Sequence, residues 1–163
     1  MKMNRRMLLI IFVGALIAGV AGAFYLKRHY FDSMSLSRLN LVDLTGEKVD
    51  PKLFVGKPVV LVFWATWCPS CRKELPEFDR VRKSLGDDVL FVAISDEDLG
   101  EINEFVRSKE YGFDFYKSDS NLLFYGIRTI PRTFFFDAKG KLVAEAQKLI
   151  TADELLGYIK QIQ

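Results

Sequence analysis

The chain has 163 residues and a nearly balanced charge, with 23 Lys and Arg against 21 Asp and Glu. Because no basic block lies beyond the N-terminal segment, the charge pattern argues against a nucleic-acid partner. With two cysteines and a single histidine, His29, the chain also lacks the four ligands that a structural zinc site needs.

The first recognisable element is an uncharged apolar run of 20 residues, from Met7 to Leu26. Basic residues flank it on both sides, and its length matches the hydrocarbon thickness of a bilayer. We predict a single transmembrane anchor preceded by a short cytoplasmic segment, residues 1–6. A cleaved signal peptide is the alternative, because Ala21-Gly22-Ala23 resembles a cleavage site, but the apolar run is longer than the usual signal core.

The rest of the chain is long enough for one domain with one core. Residues 27–38 are predicted to be a polar linker, and residues 39–163 the domain itself. At the start of this domain, Leu39 to Val49 reads as a β-hairpin that turns near Thr45-Gly46.

A strand is predicted from Val59 to Trp64, since this run is apolar throughout and rich in β-branched residues. Such a strand is covered on both faces, as in a parallel sheet. Apolar residues then recur at helical spacing from Cys71 onward, so the strand leads into a helix at Cys68-Pro69-Ser70-Cys71. Pro69 fits the first turn of that helix, where a missing N–H is tolerated.

The two cysteines at this junction indicate redox chemistry. A thiolate at the N-terminus of a helix is stabilised by unpaired N–H groups and by the helix dipole, so Cys68 is the expected nucleophile. Cys71, one turn further, is placed to resolve a mixed disulfide. Half of a zinc site and two ordinary buried cysteines are the alternatives, but a strand-to-helix junction is expected to expose a reactive group.

Further along the chain, the pattern predicts two more strands, two helices and a hairpin. These elements are a strand at Val89 to Ile94, a helix at about Leu99 to Lys109, a strand after Tyr111, a hairpin of Thr133–Phe136 with Lys141–Ala144, and a closing helix announced by Thr151 to Glu154. The last signal is a capping box, and Leu155, Ile159 and Ile162 follow it as an apolar stripe.

The sequence resembles the thioredoxin superfamily, and within it the membrane-anchored TlpA-like (ResA-like) thiol–disulfide oxidoreductases. The motif WATWCPSC, the later Pro76, the Ile130-Pro131 step and the hairpin FFFDAKGKLV carry the resemblance. It implies an α/β thioredoxin-like fold, in which helices flank a central mixed sheet. An N-terminal β-hairpin is added to this fold, and one transmembrane helix precedes it.

Roles for individual residues follow from the same resemblance. Pro131 matches the family's cis-proline, which faces the disulfide and lets the backbone of Ile130 pair with an extended substrate; an edge or turn proline is the alternative. Trp67 is expected to shield the sulfur and to offer an apolar contact to a partner, while Trp64 packs in the core.

Glu74 stands where TlpA-like proteins carry a glutamate that assists proton transfer and tunes the cysteine pKa values. A surface carboxylate is the alternative. Val62 occupies the position of the buried aspartate of cytoplasmic thioredoxins, which leaves Glu74 or water to deprotonate the second thiol. Arg72 and Lys73 either add positive potential near the thiolate or are simply solvated.

The resemblance implies a protein-disulfide reductase anchored in the cell membrane, with its catalytic domain on the extracytoplasmic (periplasmic) side. It also implies a role in cytochrome c maturation, with apocytochrome c as substrate and a membrane thiol-transfer protein as electron donor. No metal and no cofactor beyond the Cys68–Cys71 disulfide is expected. A disulfide-donating oxidase or isomerase and a non-catalytic tethering module are the alternatives.

Overall fold

The computed structural model describes residues 11–23 and 34–163. Residues 11–23 are helical, with exposed side chains. Within these two described ranges, no helix is both long enough and apolar enough to cross a bilayer. The predicted anchor, Met7 to Leu26, extends at both ends beyond the described residues. The predicted cytoplasmic segment and residues 27–33 of the predicted linker lie entirely outside the described ranges.

A seven-stranded sheet organises residues 34–163, with the strand order β2-β1-β5-β4-β3-β6-β7. The strands are β1 (Leu41–Val42), β2 (Lys48–Val49), β3 (Val59–Phe63), β4 (Leu90–Ser95), β5 (Asp114–Ser118), β6 (Arg132–Phe136) and β7 (Leu142–Ala146). Strand β3 runs parallel to β4 and antiparallel to β6, so the sheet is mixed.

Three α-helices and three short 3-10 turns complete this part of the chain. The helices are α1 (Pro69–Leu85), α2 (Leu99–Arg107) and α3 (Ala152–Ile162), and the 3-10 turns are Leu36–Arg38, Pro51–Phe54 and Leu122–Tyr125. Helix α1 connects the parallel strands β3 and β4. The arrangement is a mixed α/β, thioredoxin-like fold, as predicted.

Strand β3 lies in the middle of the sheet, and all five of its residues are buried. This confirms the prediction that an unbroken apolar run marks a strand covered on both faces. Helix α1 begins at Pro69, directly after Cys68, which confirms the predicted change from strand to helix. Both observations place the cysteines at the carboxyl end of the central strand.

Two apolar cores cover the two faces of the sheet. The redox-face core contains the cysteines, Trp64, Leu75 and Leu155 and is closed by α1 and α3. The opposite core is closed by the 3-10 turns and contains Leu36, Phe54, Phe63, Tyr125 and Phe136. The two cores together fix the position of the central strands from both sides.

The N-terminal hairpin is confirmed, since β1 pairs antiparallel with β2 and also with β5. Asp43 closes the turn by accepting hydrogen bonds from the backbone N–H groups of Thr45 and Glu47. Met34 and Leu36, which belong to the predicted linker, are buried in the opposite core. The packed part of the chain therefore begins before Leu39.

The C-terminal elements also follow the prediction. Strands β6 and β7 pair antiparallel around a turn in which Asp137 Oδ1 accepts hydrogen bonds from the N–H groups of Lys139 and Lys141. Both hydrogen bonds of the capping box between Thr151 and Glu154 are present at the start of α3. The apolar stripe of α3 is buried in the redox-face core.

Candidate active site

The two cysteines form a disulfide at the N-terminus of α1. Cys68 is the N-cap residue, and its Sγ accepts a hydrogen bond from the N–H of Cys71 at 3.2 Å. The N–H of Cys68 donates to the carbonyl oxygen of Ala65 at 3.1 Å, so residues 65–68 form a turn directly before the helix. Sulfur thus occupies the position where a helix end favours negative charge.

The disulfide is less accessible than the sequence suggested. Cys68 is 3% exposed and Cys71 is fully buried, because both side chains pack in the redox-face core. The expectation of an exposed reactive group at this junction is therefore wrong for the disulfide form. Of the two cysteines, Cys68 is the one with residual exposure, as a nucleophile that meets other proteins requires.

The two tryptophans of the active-site motif have opposite environments. Trp64 is completely buried and packs against Phe105 and Phe115, with ring centroids 4.8 and 5.5 Å away. Trp67 is 70% exposed. The prediction that Trp64 belongs to the core is confirmed, and Trp67 presents a large apolar surface beside Cys68.

Glu74 is almost completely buried, with 1% of its surface exposed. Its Oε1 accepts a hydrogen bond from the N–H of Ile150 at 2.8 Å, while its buried Oε2 has no hydrogen-bond partner. Burial raises the pKa of Glu74 to about 7, against a smaller opposing effect of the Ile150 hydrogen bond. Glu74 is not the surface carboxylate of the alternative interpretation.

A carboxyl group with a pKa of about 7 is suited to moving protons near neutral pH. Glu74 lies one turn after Cys71 on the buried face of α1. The contrast with Asp79, the other buried acid of this helix, is informative: Asp79 accepts hydrogen bonds from the N–H of Gly112 and lies 2.7 Å from Lys83 Nζ. Asp79 is held in place by these partners, whereas Glu74 keeps one oxygen unpaired.

The peptide bond between Ile130 and Pro131 is cis. The β3–β6 register pairs Phe63 with Arg132, which places Pro131 at the end of the sheet where Trp64 begins the cysteine loop. Pro131 is buried, and Ile130 is partly buried against both cores. The proline loop and the cysteine loop therefore meet at one end of the sheet.

The side chain of Arg132, which follows the cis-proline, lies on the face of the sheet opposite α1. Its guanidinium lies 5.3 Å from the ring centre of Phe134, a residue of the opposite core, and 2.9 Å from Glu145 on β7. A large cation is accommodated beside the cis-proline because it packs away from the disulfide.

A carboxylate that was not among the predicted site residues holds the cysteine loop. Glu97, which follows β4, accepts hydrogen bonds from both the N–H and the hydroxyl of Thr66 in the cysteine loop, at 2.7 and 2.6 Å. Glu97 lies within an acidic stretch and is 31 residues from its partner. Sequence spacing gives no signal for a contact of this kind.

In the described ranges, residues 11–23 and 34–163, no group of three or more His, Cys, Asp or Glu side chains is arranged to hold a metal ion. His29 lies outside these ranges.

A thioredoxin-like fold with a Cys-x-x-Cys disulfide at a helix N-terminus defines the class of thiol–disulfide oxidoreductases. Residues 32–145 match the AhpC/TSA family, and the chain belongs to that family. Together with its relatives, this match identifies the chain as a TlpA-like (ResA-like) member of the thioredoxin superfamily and as a thiol–disulfide oxidoreductase.

The names of similar proteins describe thiol–disulfide chemistry. The thiol-disulfide oxidoreductase ResA of Bacillus cereus is 29% identical over 174 residues, which cover 99% of each chain. ResA of Bacillus subtilis is 28% identical over 130 residues, 76% of this chain and 71% of that protein. A solved structure of a secreted Mycobacterium tuberculosis disulfide oxidoreductase, homologous to E. coli DsbE, is similar with a TM-score of 0.66 and 27% identity, over 77% of this chain and 96% of the other.

Proposed function

We propose that the protein reduces disulfide bonds of other proteins outside the cytoplasm, using Cys68 and Cys71 as a dithiol. The observation that carries the proposal is the position of Cys68 at the N-terminus of α1, with Cys71 and the half-paired Glu74 on the turns behind it. Helix-end stabilisation favours the Cys68 thiolate, and the burial of Cys71 keeps the second thiol for resolution.

In the first step, the Cys68 thiolate attacks one sulfur of the substrate disulfide. A bond forms between Cys68 Sγ and that sulfur, and the other substrate sulfur leaves as a thiolate. In the second step, Glu74 takes the proton of Cys71, whose thiolate attacks Cys68 Sγ and releases the second substrate thiolate. The substrate gains two electrons, and the protein ends with the Cys68–Cys71 disulfide.

The substrate is held by the two loops that meet at this end of the sheet. An extended substrate segment pairs with the backbone of Ile130, beside Pro131, and this backbone pairing gives affinity without demanding one substrate sequence. Trp67 supplies an apolar contact, which its 70% exposure leaves available. We assign apocytochrome c as the substrate of these two loops by resemblance, since its haem-binding cysteines must be thiols.

The proposal includes a membrane anchor at Met7 to Leu26, with the catalytic domain outside the cytoplasm. The support is the length and charge pattern of this run, which match a bilayer-spanning helix. A membrane thiol-transfer protein would return two electrons to the Cys68–Cys71 disulfide by the reverse exchange. Without such a donor the protein would reduce one substrate disulfide and stop.

Trapping the mixed disulfide tests the proposed order of attack. In the full chain, Cys71→Ser should accumulate a covalent complex with an oxidised apocytochrome c peptide, because the second step is blocked. Cys68→Ser should abolish exchange and trap nothing. The two variants control for each other, since the same change is made one helical turn apart, and the complex is measured by non-reducing electrophoresis and mass spectrometry.

Trapping by Cys68→Ser instead of Cys71→Ser would reverse the assigned roles. A parent protein that leaves the peptide oxidised, or that oxidises the reduced peptide, would contradict the proposed direction of electron flow.

A further inference from the structure

Three residues at the carboxyl end of β4 contact the cysteine loop and the 3-10 turn that precedes the cis-proline loop. We call Ser95, Asp96 and Glu97 the β4 clamp. Ser95 is completely buried; its hydroxyl donates to Glu97 Oε2 at 2.9 Å and accepts from the N–H of Glu97 at 3.2 Å. These two bonds fold the segment back on itself, so the carboxylate of Glu97 is held in a fixed orientation.

Glu97 fixes the turn that presents Cys68. Its Oε2 accepts from the N–H of Thr66 at 2.7 Å, and its Oε1 accepts from the Thr66 hydroxyl at 2.6 Å. Thr66 is a central residue of the turn closed by the hydrogen bond from the Cys68 N–H to the Ala65 carbonyl oxygen. Two charge-assisted bonds to one turn residue restrict both its position and its rotation.

Asp96 contacts the segment that precedes the cis-proline loop. Its Oδ2 accepts from the N–H of Leu122 at 3.0 Å, at the start of the 3-10 turn Leu122–Tyr125. The carbonyl oxygen of Leu122 in turn accepts from the N–H of Ile127 at 3.1 Å, three residues before Ile130. The β4 clamp therefore connects the cysteine loop to the segment that leads into the cis-proline loop.

We propose that Glu97 is a positioning residue for protein-disulfide exchange, which sets the place of Cys68 relative to the cis-proline loop. The inference rests on the proposed reduction of protein disulfides. A protein substrate must pair with the Ile130 backbone and present its sulfur in line with Cys68 at the same time, so the distance between the loops limits its rate. A small disulfide reaches Cys68 without the proline loop and is indifferent to that distance.

The negative charge of Glu97 affects the ionisation of the thiol, and the experiment must distinguish this effect from positioning. Removing a charge near the cysteine loop acts on the fraction of reactive thiolate. Positioning acts instead on the rate constant of the fully formed thiolate. A pH–rate profile gives both quantities, because the pKa sets the midpoint and the rate constant sets the plateau.

The test compares four variants of the reduced full chain with the parent. Glu97→Ala removes both bonds to Thr66, Thr66→Val removes the hydroxyl bond, and Thr66→Ser retains both. Asp98→Ala is the matched control, since Asp98 is an exposed neighbouring acid that makes no capping hydrogen bond. For each protein, the plateau rate constant is measured with insulin and with glutathione disulfide, and folding is checked by the thermal midpoint.

We expect Glu97→Ala to lower the plateau rate constant with insulin by about tenfold, and that with glutathione disulfide by less than about threefold. Thr66→Val should also lower the plateau rate constant selectively with insulin, but by a smaller factor. The plateau rate constants of Thr66→Ser and Asp98→Ala should match those of the parent. Should Glu97→Ala not fold, the selective loss in Thr66→Val decides the question.

Equal losses with both substrates would overturn the proposal, because they mean that Glu97 only maintains the structure. Unchanged plateaus in Glu97→Ala and Thr66→Val would overturn it as well. A parent protein that reacts with glutathione disulfide but leaves insulin oxidised would instead overturn the proposed function, and the positioning role with it.

Discussion

Two buried polar sites, one on each face of the sheet, pair their side chains in different ways. On the opposite face, the hydroxyl groups of Ser118 and Tyr125 form a closed hydrogen-bond network. On the redox face, Glu74 has one paired oxygen and one unpaired oxygen, and the buried hydroxyl of Thr133 has no partner. All four side chains are buried, so burial alone does not explain the difference.

The network around Ser118 satisfies each of its members. The Ser118 hydroxyl donates to the carbonyl oxygen of Ser120 at 2.6 Å, and it accepts from the N–H of Ser120 at 3.1 Å. Because its only proton is used, the Tyr125 hydroxyl, 3.1 Å away, must donate to Ser118, and it accepts in turn from the N–H of Asn40. This arrangement joins the N-terminal residues to β5 and has no group left to react.

The difference separates a structural polar group from a chemical one. A fully paired hydroxyl network stabilises one arrangement and leaves no polar atom free for chemistry. A half-paired buried carboxyl is costly when ionised, and burial accordingly raises its pKa to about 7. The carboxyl group that is costly to ionise lies one turn from Cys71, where a proton acceptor is needed.

The largest test of this comparison is Glu74→Gln. Its amide oxygen can still accept the Ile150 hydrogen bond, but the side chain no longer titrates. In the parent, the pKa is raised from 4.5 to about 7 on folding. The protonated form therefore contributes stability fully below about pH 4.5, and this contribution is lost as the pH rises to about 7.

The Glu74→Gln variant should not show this pH-dependent loss of stability. Relative to the parent, the free energy of unfolding of Glu74→Gln should rise by roughly 2–4 kcal/mol between pH 4 and pH 8. Denaturant unfolding of both oxidised proteins at several pH values measures the difference. Parallel profiles for parent and variant would show that Glu74 titrates in the folded protein as it does in the unfolded chain.

A smaller effect is expected from Tyr125→Phe on the opposite face. The change removes one donor to Ser118 and one acceptor of the Asn40 N–H, so we expect a loss of about 1 kcal/mol in the free energy of unfolding. The matched control is Thr133→Val, which removes an unpaired hydroxyl at nearly constant shape and should be close to neutral.

If Thr133→Val costs as much as Tyr125→Phe, the contrast between the closed Ser118–Tyr125 network and the unpaired polar groups around Glu74 and Thr133 does not hold.

The sequence predicted the elements whose signal is local. Apolar runs marked β3 and β4, helical spacing marked α1, and the Thr151–Glu154 capping box marked α3. The position of Glu74 was also within reach, because a residue three after Cys71 falls on the same helix face as the buried cysteine. Its depth of burial was not, because that depends on Ile150, which is 76 residues away in the chain.

The missed features depend on contacts between distant segments. The 3-10 turns that close the opposite core have no periodic pattern at three or four residues each. Glu97 lies in an acidic stretch that resembles a solvated surface, and only the parallel pairing of β3 with β4 brings it to Thr66. The accessibility of Cys68 was overestimated because the packing around a loop is set by the cores on either side.

The reduction potential of the Cys68–Cys71 pair tests the central claim most directly. The full chain would be equilibrated in dithiothreitol or glutathione buffers of known potential, and its thiols counted after alkylation. The account predicts a value of about −270 mV or more negative, as for a protein that reduces others. A value near about −120 mV would mark a disulfide donor and would contradict the proposed direction of exchange.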